Sequence, residues 1–307
     1  MLTMNQFFVS LISVLLFISI GYLARQFKLL DLDIGKKIIK FLFTIPLPIL
    51  VFSSFASNPI ETQFLSLPLI ACLITISLMA ISYLVGKALK YDRKTLGTLM
   101  TASGISSTLL FALPFIAAFY GPEQTRYLFL YDFGNGLMAW TLVYYWAGRM
   151  GNKHGLKISD SIKIFLKNPM IWALVLGVIV ALSGLALPPV VKNIANQMGG
   201  FTNPLILCCV GIFLNLNFFK QKENLAKILL GMALVMGVSI GLAFTLTALL
   251  GITGIVQKIV LICGLAPAGT LTVAFSAEHD LNTEYASALV AATMFFAILL
   301  MPLLIAI

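Results

Sequence analysis

The sequence predicts an all-α polytopic membrane protein of ten transmembrane helices, built as a 5+5 inverted repeat with spans four and nine broken near their middles. Three observations carry this. Of the 307 residues, 60% are hydrophobic and only 10% charged, with a mean hydropathy of +1.02, whereas ordinary globular domains carry about 25% charged residues. The apolar runs are long and continuous, suited to helices of about 20 residues rather than to the alternating ten-residue strands of a barrel. Two of these runs are interrupted where a spanning helix should be most regular.

Taken in order, span one is Gln6–Ala24; with no charged stretch before it and no small-residue cleavage site after it, it is expected to be retained. Span two, Ile38–Phe55, is bent by Pro46 and Pro48. Span three covers Phe64–Gly86. Span four, Leu96–Tyr120, holds the first interruption, Thr101–Thr108, with Pro114 beyond it. Span five, Arg126–Gly148, ends in Tyr144, Tyr145 and Trp146. A short basic loop, Arg149–Asn168, then separates the two five-helix repeats, residues 1–150 and 151–307.

Span six, Pro169–Leu187, starts on a proline, which the first helical position tolerates. Span seven begins near Pro189 as a semi-polar helix, passes Gly199–Gly200 and Asn203–Pro204, and ends near Leu216. Span eight is Ala226–Leu250 and span ten Tyr285–Ile307. Span nine, Val256–Ser276, holds the second interruption, Cys263–Thr272. Its Pro267 removes a backbone donor and clashes with the carbonyl four residues back. Broken backbone at membrane depth survives only inside protein or along a polar cavity. Paired interruptions in corresponding halves are the best sequence pointer to a solute site.

The net charge of +9 comes from basic residues scattered through short loops, which argues for topology and against a nucleic-acid partner. Seventeen of the twenty fall in loops one–two, three–four, five–six and seven–eight; only Arg126, Lys192 and Lys258 lie on the other side. The basic loops are therefore expected to be cytoplasmic, with both termini on the outer side of the cell (inner) membrane. Loop nine–ten carries Glu278, His279, Asp280 and Glu284 and no basic residue, which counts little in this rule. Cys72, Cys208, Cys209 and Cys263 all sit in apolar spans without metal-binding spacing and are expected as free thiols. No cofactor and no metal are expected.

Five spans per half force the halves to insert with opposite topology, and a trace of duplication fits this. Ile45–Leu50 aligns with Phe201–Ile206 at an offset of 156, which Gly21 and Gly177 share; Ser107–Ala112 aligns with Gly269–Ala274 at 162. Three matches in one order, with prolines and breaks in register, point to an inverted repeat.

Four stretches together resemble the auxin efflux carrier family, the PIN-like carriers and their bacterial relatives. They are Gly21–Arg25 through Pro46–Leu47–Pro48; the small-residue break ending in Leu113–Pro114 and followed by Tyr120–Gly121; Lys167–Asn168–Pro169; and Ala266–Pro267–Ala268 with Ala286–Ser287 and Met301–Pro302. The resemblance covers essentially the whole chain. It implies that the two broken helices cross near the bilayer midplane, and that spans one, two, six and seven form a scaffold, often a homodimer contact. Spans three to five and eight to ten would form a mobile transport part. It also implies a small organic anion substrate, a carboxylate or an auxin. The chain departs from the pattern at Ser107, where relatives often carry asparagine.

A broken helix leaves backbone N–H groups bare at the start of its second half, a partial positive charge suited to a carboxylate. Ser106, Ser107, Thr108, Pro267, Gly269 and Thr270 are therefore expected at the substrate. The alternative is that these small residues only let helices pack closely. Asp132 is the sole acid deep within a span, and Asn135 lies three residues on, on the same face. They are expected to take up a proton or sodium ion or to support the neighbouring break; the alternative is a structural acid near the outer interface. Asn203 is expected to cap or to line the bend of span seven, with capping favoured, and Pro46, Pro48 and Pro204 to shape scaffold helices. His154 and His279 fall in loops and are expected solvated, while Trp140, Trp146 and Trp172 flank the cytoplasmic half of the bilayer, where aromatic belts are ordinary.

These residues fit a secondary carrier working by alternating access. The driving force is left open between the substrate gradient, the membrane potential and a proton at Asp132. A sodium-coupled carrier like the bile acid symporters is the near alternative, disfavoured by the lack of a dense Asn, Gln and Glu cluster at both breaks. An intramembrane enzyme would need a catalytic constellation at depth, such as serine with a membrane histidine or paired aspartates, and the sequence has neither. A channel would pass currents far above carrier rates, and a sensor would need an output domain that the longest loop is too short to hold.

Overall fold

The structure, a computed structural model, describes residues 4–57, 65–151, 158–214 and 225–306. Among the described residues it is helical apart from one isolated antiparallel bridge. The first half contains α1 (Met4–Gln26), α2 (Leu32–Thr44), α3 (Pro46–Ala56), α4 (Leu67–Ala88), α5 (Arg93–Gly104), α6 (Leu113–Tyr120), α7 (Thr125–Met138) and α8 (Tyr144–Met150). There follow α9 (Ile158–Leu166), α10 (Pro169–Ser183), α11 (Pro189–Phe213), α12 (Leu225–Met232), α13 (Ser239–Leu249), α14 (Gly254–Leu265), α15 (Leu271–Glu278) and α16 (Thr283–Ala306). Wide π-helical turns at Thr108–Ala112, Ala139–Val143 and Ala233–Val238 lead into α6, α8 and α13.

Among the described residues, five stretches are long and apolar enough to cross a membrane: Asn5–Gln26, Leu32–Ala56, Leu67–Ala88, Leu225–Leu249 and Thr283–Ala306. The chain is a multi-pass membrane protein. The other expected spans fall short for physical reasons. Spans four and nine are split by their interruptions, and α10 stops at Gly184, a left-handed cap with φ +70°. Helix α11 carries Lys192, Asn193, Asn196, Gln197 and Asn203 in its first two-thirds. The basic loop Arg149–Asn168 is not a plain connection: it contains α9, whose Phe165 ring packs 5.9 Å from Phe133. His154, like Lys153, Lys157, Lys220 and Lys222, lies outside the described residues.

The chain divides into two compact units, interleaved along the sequence. Unit 1 comprises Met1–Leu65, Leu109–Phe129 and Asn168–Leu214; unit 2 comprises Ser66–Thr108, Leu130–Lys167 and Asn215–Ile307.

Within unit 1, α1 packs along α11 and α10 along α3. Glycine makes both contacts possible. A Cβ on Gly21 would stand 1.9 Å from the Cys208 carbonyl oxygen, and one on Gly177 2.8 Å from that of Phe52. Small residues let membrane helices approach this closely. The two glycines are 156 residues apart, and so are their two partners. At the end of α1, Arg25 donates from Nη1 to the carbonyls of Ile212 (2.9 Å) and Leu214 (3.2 Å). That satisfies the last turn of α11 and places a cation against its negative end.

Within unit 2, α4 lies against α5, α13 against α14 and α15 against α16. Met79, Met100, Ile105, Val143, Tyr144 and Phe275 form a shared core. One end is tied by polar contacts: Asn282 donates to Thr95 Oγ1 at 2.9 Å, Lys94 pairs with Asp280 at 2.8 Å, and Tyr144 donates to Glu278 at 2.6 Å. His279 corrects the sequence expectation, since it is 1% exposed rather than solvated. The Tyr144 ring covers it at 4.7 Å, and a Cβ on Gly151 would lie 1.7 Å from its carbonyl oxygen. A turn of so few residues brings its side chain under the neighbouring helices. Trp140 packs 5.2 Å from Phe275, while Trp146 and Trp172 are exposed.

Candidate functional site

Both expected interruptions are real, and they meet within unit 2. Helix α14 ends at Leu265. Ala266 turns extended (φ −58°, ψ 143°), as the residue before a proline prefers. Pro267 has no N–H to give the Cys263 carbonyl. That acceptor takes instead the Ala266 N–H at 3.3 Å and the Ser106 hydroxyl at 3.2 Å. Helix α5 ends at Gly104, and Ile105 is extended (φ −125°, ψ 109°).

The two extended stretches pair in an antiparallel bridge at Ser106 and Ala268. The Ser107 N–H donates to the Pro267 carbonyl at 2.9 Å, and the Gly269 N–H to that of Ile105 at 2.8 Å. Any antiparallel bridge has a local twofold. What is not automatic is its offset: Ser106 and Ala268 are 162 residues apart, the separation at which Ser107–Ala112 aligns with Gly269–Ala274. A Cβ on Gly269 would sit 2.6 Å from Ile105 Cγ2, so the approach requires glycine. The Ala268 N–H is taken by Thr293 Oγ1 of α16 at 3.2 Å.

Polar side chains gather on the first break. From α7, Asn135 donates through Nδ2 to the Ser106 carbonyl at 3.1 Å, with Thr108 Oγ1 and Asp132 Oδ1 each at 3.2 Å. Its Oδ1 accepts from the Ser106 N–H at 3.4 Å. Thr108 donates from its hydroxyl to Asp132 Oδ1. Asp132 has no ion-pair partner among the described residues. Helix α7 is held here by Gly134, where a Cβ would lie 2.1 Å from the Pro68 carbonyl oxygen of α4.

Seven of the eight sequence-derived residues thus come together: Ser106, Ser107, Thr108, Asp132, Asn135, Pro267 and Gly269. Thr270 sits one residue past the bridge, before α15. Its hydroxyl has no hydrogen bond among the described residues, and neither do the N–H groups of Thr270 and Leu271. The expectation of bare peptide groups needs correcting at two positions, because the bridge uses the N–H groups of Ser107 and Gly269. Thr293 and the Cys263 carbonyl were missed. A lone threonine in an apolar span reads as a residue bonded back to its own helix, which Thr293 also does at Leu289 (2.8 Å).

A hollow of ≈ 10 Å³ adjoins Ser106, Asn135, Tyr131 and Ser239. It holds about one water molecule, which needs roughly 10–15 Å³, and is too small for a carboxylate solute. The residues present are hydroxyls, an amide, one carboxylate and backbone groups. They can hydrogen-bond a solute, hold a proton or ligate a hard cation.

The chain matches the family described as Membrane transport protein over residues 6–305. It belongs to that family, the auxin efflux carriers. A protein of Methanothermobacter thermautotrophicus described as an uncharacterized transporter is 24% identical over 298 residues, 96% of each chain. Another so described, from Methanocaldococcus jannaschii, is 24% identical over 297 residues, 94% of this chain and 95% of its own. The protein is a membrane transporter, and the paired breaks are read on that footing.

Proposed function

We propose that this transporter moves a small organic anion, a carboxylate or auxin-like solute, by alternating access around the two paired breaks. The observation that carries the reading is the bridge between Ser106 and Ala268, with the uncompensated carboxylate of Asp132 held beside it. The free N–H groups of Thr270 and Leu271, at the positive end of α15, suit a carboxylate oxygen. Asp132 is the natural proton carrier, because an intramembrane acid without a cationic partner is costly when charged.

A ten-span inverted repeat, residues 1–150 and 151–307, underlies this mechanism. Two offsets read in the sequence recur as contacts: 156 between the Gly21–Cys208 and Gly177–Phe52 approaches, and 162 across the bridge. Unit 1 gathers spans one, two, six and seven, unit 2 gathers spans three, eight, nine and ten, and spans four and five are divided, with Leu109–Phe129 in unit 1. That grouping favours a scaffold and a mobile transport part. The exposed apolar faces of α1 and α10, with Phe8, Ile12, Leu16, Leu176 and Ile179, suit lipid or a homodimer contact. The termini would face outward.

A second reading is a sodium-coupled carrier similar to the bile acid symporters. The oxygens of Asp132, Thr108, Asn135 and the Ser106 carbonyl form a hard donor set of the kind alkali and alkaline-earth cations prefer. Uptake of labelled mono- and dicarboxylates into proteoliposomes, under imposed pH or sodium gradients, tests both. Accumulation driven by a pH gradient supports the first reading and by a sodium gradient the second. No uptake of any carboxylate under either gradient would remove the anion assignment.

A further inference from the structure

Unit 1 contains a cavity of ≈ 320 Å³ that the crossover does not account for. Its volume lies at the low end of small-molecule sites, which run about 300–1,000 Å³. One wall is a stripe on α11, Lys192, Asn196, Gly199 and Asn203, spaced so that all four share one helical face. Ser53 of α3 and Ser57, the residue that caps its end, also line the cavity, as does Glu123 from the turn before α7. Leu50, Leu113 and Phe129 supply apolar surface.

The stripe accounts for three of the polar residues of α11, Lys192, Asn196 and Asn203. Asn203 stands in the middle of α11, so it caps nothing, contrary to the expectation from sequence; its amide lines the cavity. The side chains of Asn196, Asn203, Lys192 and Glu123 make no hydrogen bond or ion pair with the described residues. An acid and a base therefore line one cavity without neutralising each other, and two amides there keep their full hydrogen-bonding capacity. A simple anion would meet Lys192 favourably and Glu123 unfavourably, and a simple cation the reverse. A solute with both charges satisfies both side chains, and opposed charges disfavour partners bearing only one.

We infer that this cavity is a binding site for a small zwitterion of the amino-acid type. Its carboxylate lies toward Lys192 and Asn196, its ammonium toward Glu123, and a short aliphatic side chain against Leu113 and Phe129. The inference does not rest on the crossover reading, whose residues all lie in unit 2.

The test is calorimetric titration of the full chain in lipid nanodiscs with L-valine, isovalerate (valine without its ammonium) and isobutylamine (valine without its carboxylate). Valine is expected to bind at least about tenfold tighter than either analogue, a difference of about 1.4 kcal/mol. Lys192→Gln should erase the preference over isobutylamine, and Glu123→Gln the preference over isovalerate. Both residues are exposed, so neither change threatens folding, and elution as a monodisperse peak checks this. Valine binding no tighter than isovalerate or isobutylamine overturns the inference, as do preferences that survive both substitutions. Valine binding lost in Gly269→Leu but kept in Lys192→Gln and Glu123→Gln would place the zwitterion at the crossover and overturn it equally.

Discussion

The breaks after Gly104 and after Leu265 interrupt their helices over similar lengths, for different causes and with different surroundings. Pro267 imposes the second from within: it cannot donate to the Cys263 carbonyl, and it forces Ala266 out of the helical region. The stretch around it, Ala266 to Gly269, is buried and without a hydrogen-bonding side chain. The first break has no proline. It is held open from outside, by two backbone bonds to the second break and by the amide of Asn135, and it carries the hydroxyls and the neighbouring carboxylate. After it the chain passes into unit 1 at Leu109, whereas both flanks of the second break stay in unit 2. The second break is fixed by its own proline, and the polar side chains gather on the first. Changes to the second should therefore abolish function broadly, while changes around the first should alter coupling.

The largest effect is expected from Gly269→Leu. Its side chain has no room beside Ile105, and relieving the clash breaks both bridge bonds. Overpacking alone costs about 1–3 kcal/mol, and each backbone group left unpaired in the bilayer adds about 1–3 kcal/mol. Carboxylate uptake into proteoliposomes should drop to background while the protein still elutes as a folded species. Uptake near the unsubstituted level would mean that the bridge is dispensable.

Asp132→Asn ranks second and probes the first break. Its amide oxygen still accepts from Thr108, so the local hydrogen bonding is preserved and only the ionisable group is lost. The ratio of uptake with and without an imposed pH gradient should collapse to one. If that ratio stays as in the unsubstituted protein, the proton-carrier role goes.

How far each break could be read from residues alone follows from the same contrast. The second was legible because a proline acts locally and leaves its mark in a few letters. The first showed only as a run of Thr, Ser and Gly, since a break held open by partners is not written in its own stretch. The offset of 162 was visible in Ser107–Ala112 and Gly269–Ala274, but the bridge it predicts was not. Pairing depends on how two helices lie in space, and no periodicity encodes that. For the same reason Asn135 was found by its spacing from Asp132 whereas its bonds to Ser106 were not, and Asn203 was taken for a cap although the other side chains around its cavity come from α3 and from near α7. His279 was misjudged because a loop residue was assumed wet, while Tyr144 and Gly151 bury it.

Thr270→Val sharpens the second-break side without breaking it. The substitution keeps the shape, and the hydroxyl has no partner to lose among the described residues. A hydrogen bond to a charged ligand is worth about 1.5–3 kcal/mol, so affinity for a transported carboxylate should fall by roughly 10- to 150-fold, with melting temperature unchanged. Unchanged affinity would confine solute contact to the first break.

The smallest effect concerns how the helices leading into the breaks begin. Asp92 caps α5, accepting from the Thr95 N–H at 3.0 Å, whereas Thr253 makes no side-chain bond at the start of α14. Burial pushes the Asp92 carboxyl up, but hydrogen bonds from the Thr95 hydroxyl and N–H, with the Lys227 charge, outweigh it and hold the group below its ordinary value. A carboxylate with a lowered pKa stabilises the fold above its unfolded pKa, near ~4 for aspartate. That contribution is lost as pH falls through the folded value. Asp92→Ala should cost about 1 kcal/mol at neutral pH, as cap removal usually does, and Thr253→Ala much less. Melting curves at pH 7 and in the acid range should show the Asp92→Ala deficit shrinking as the carboxyl is protonated. A deficit that persists in acid, or an equal one for Thr253→Ala, would mean that the first break's helix is not capped differently from the second's.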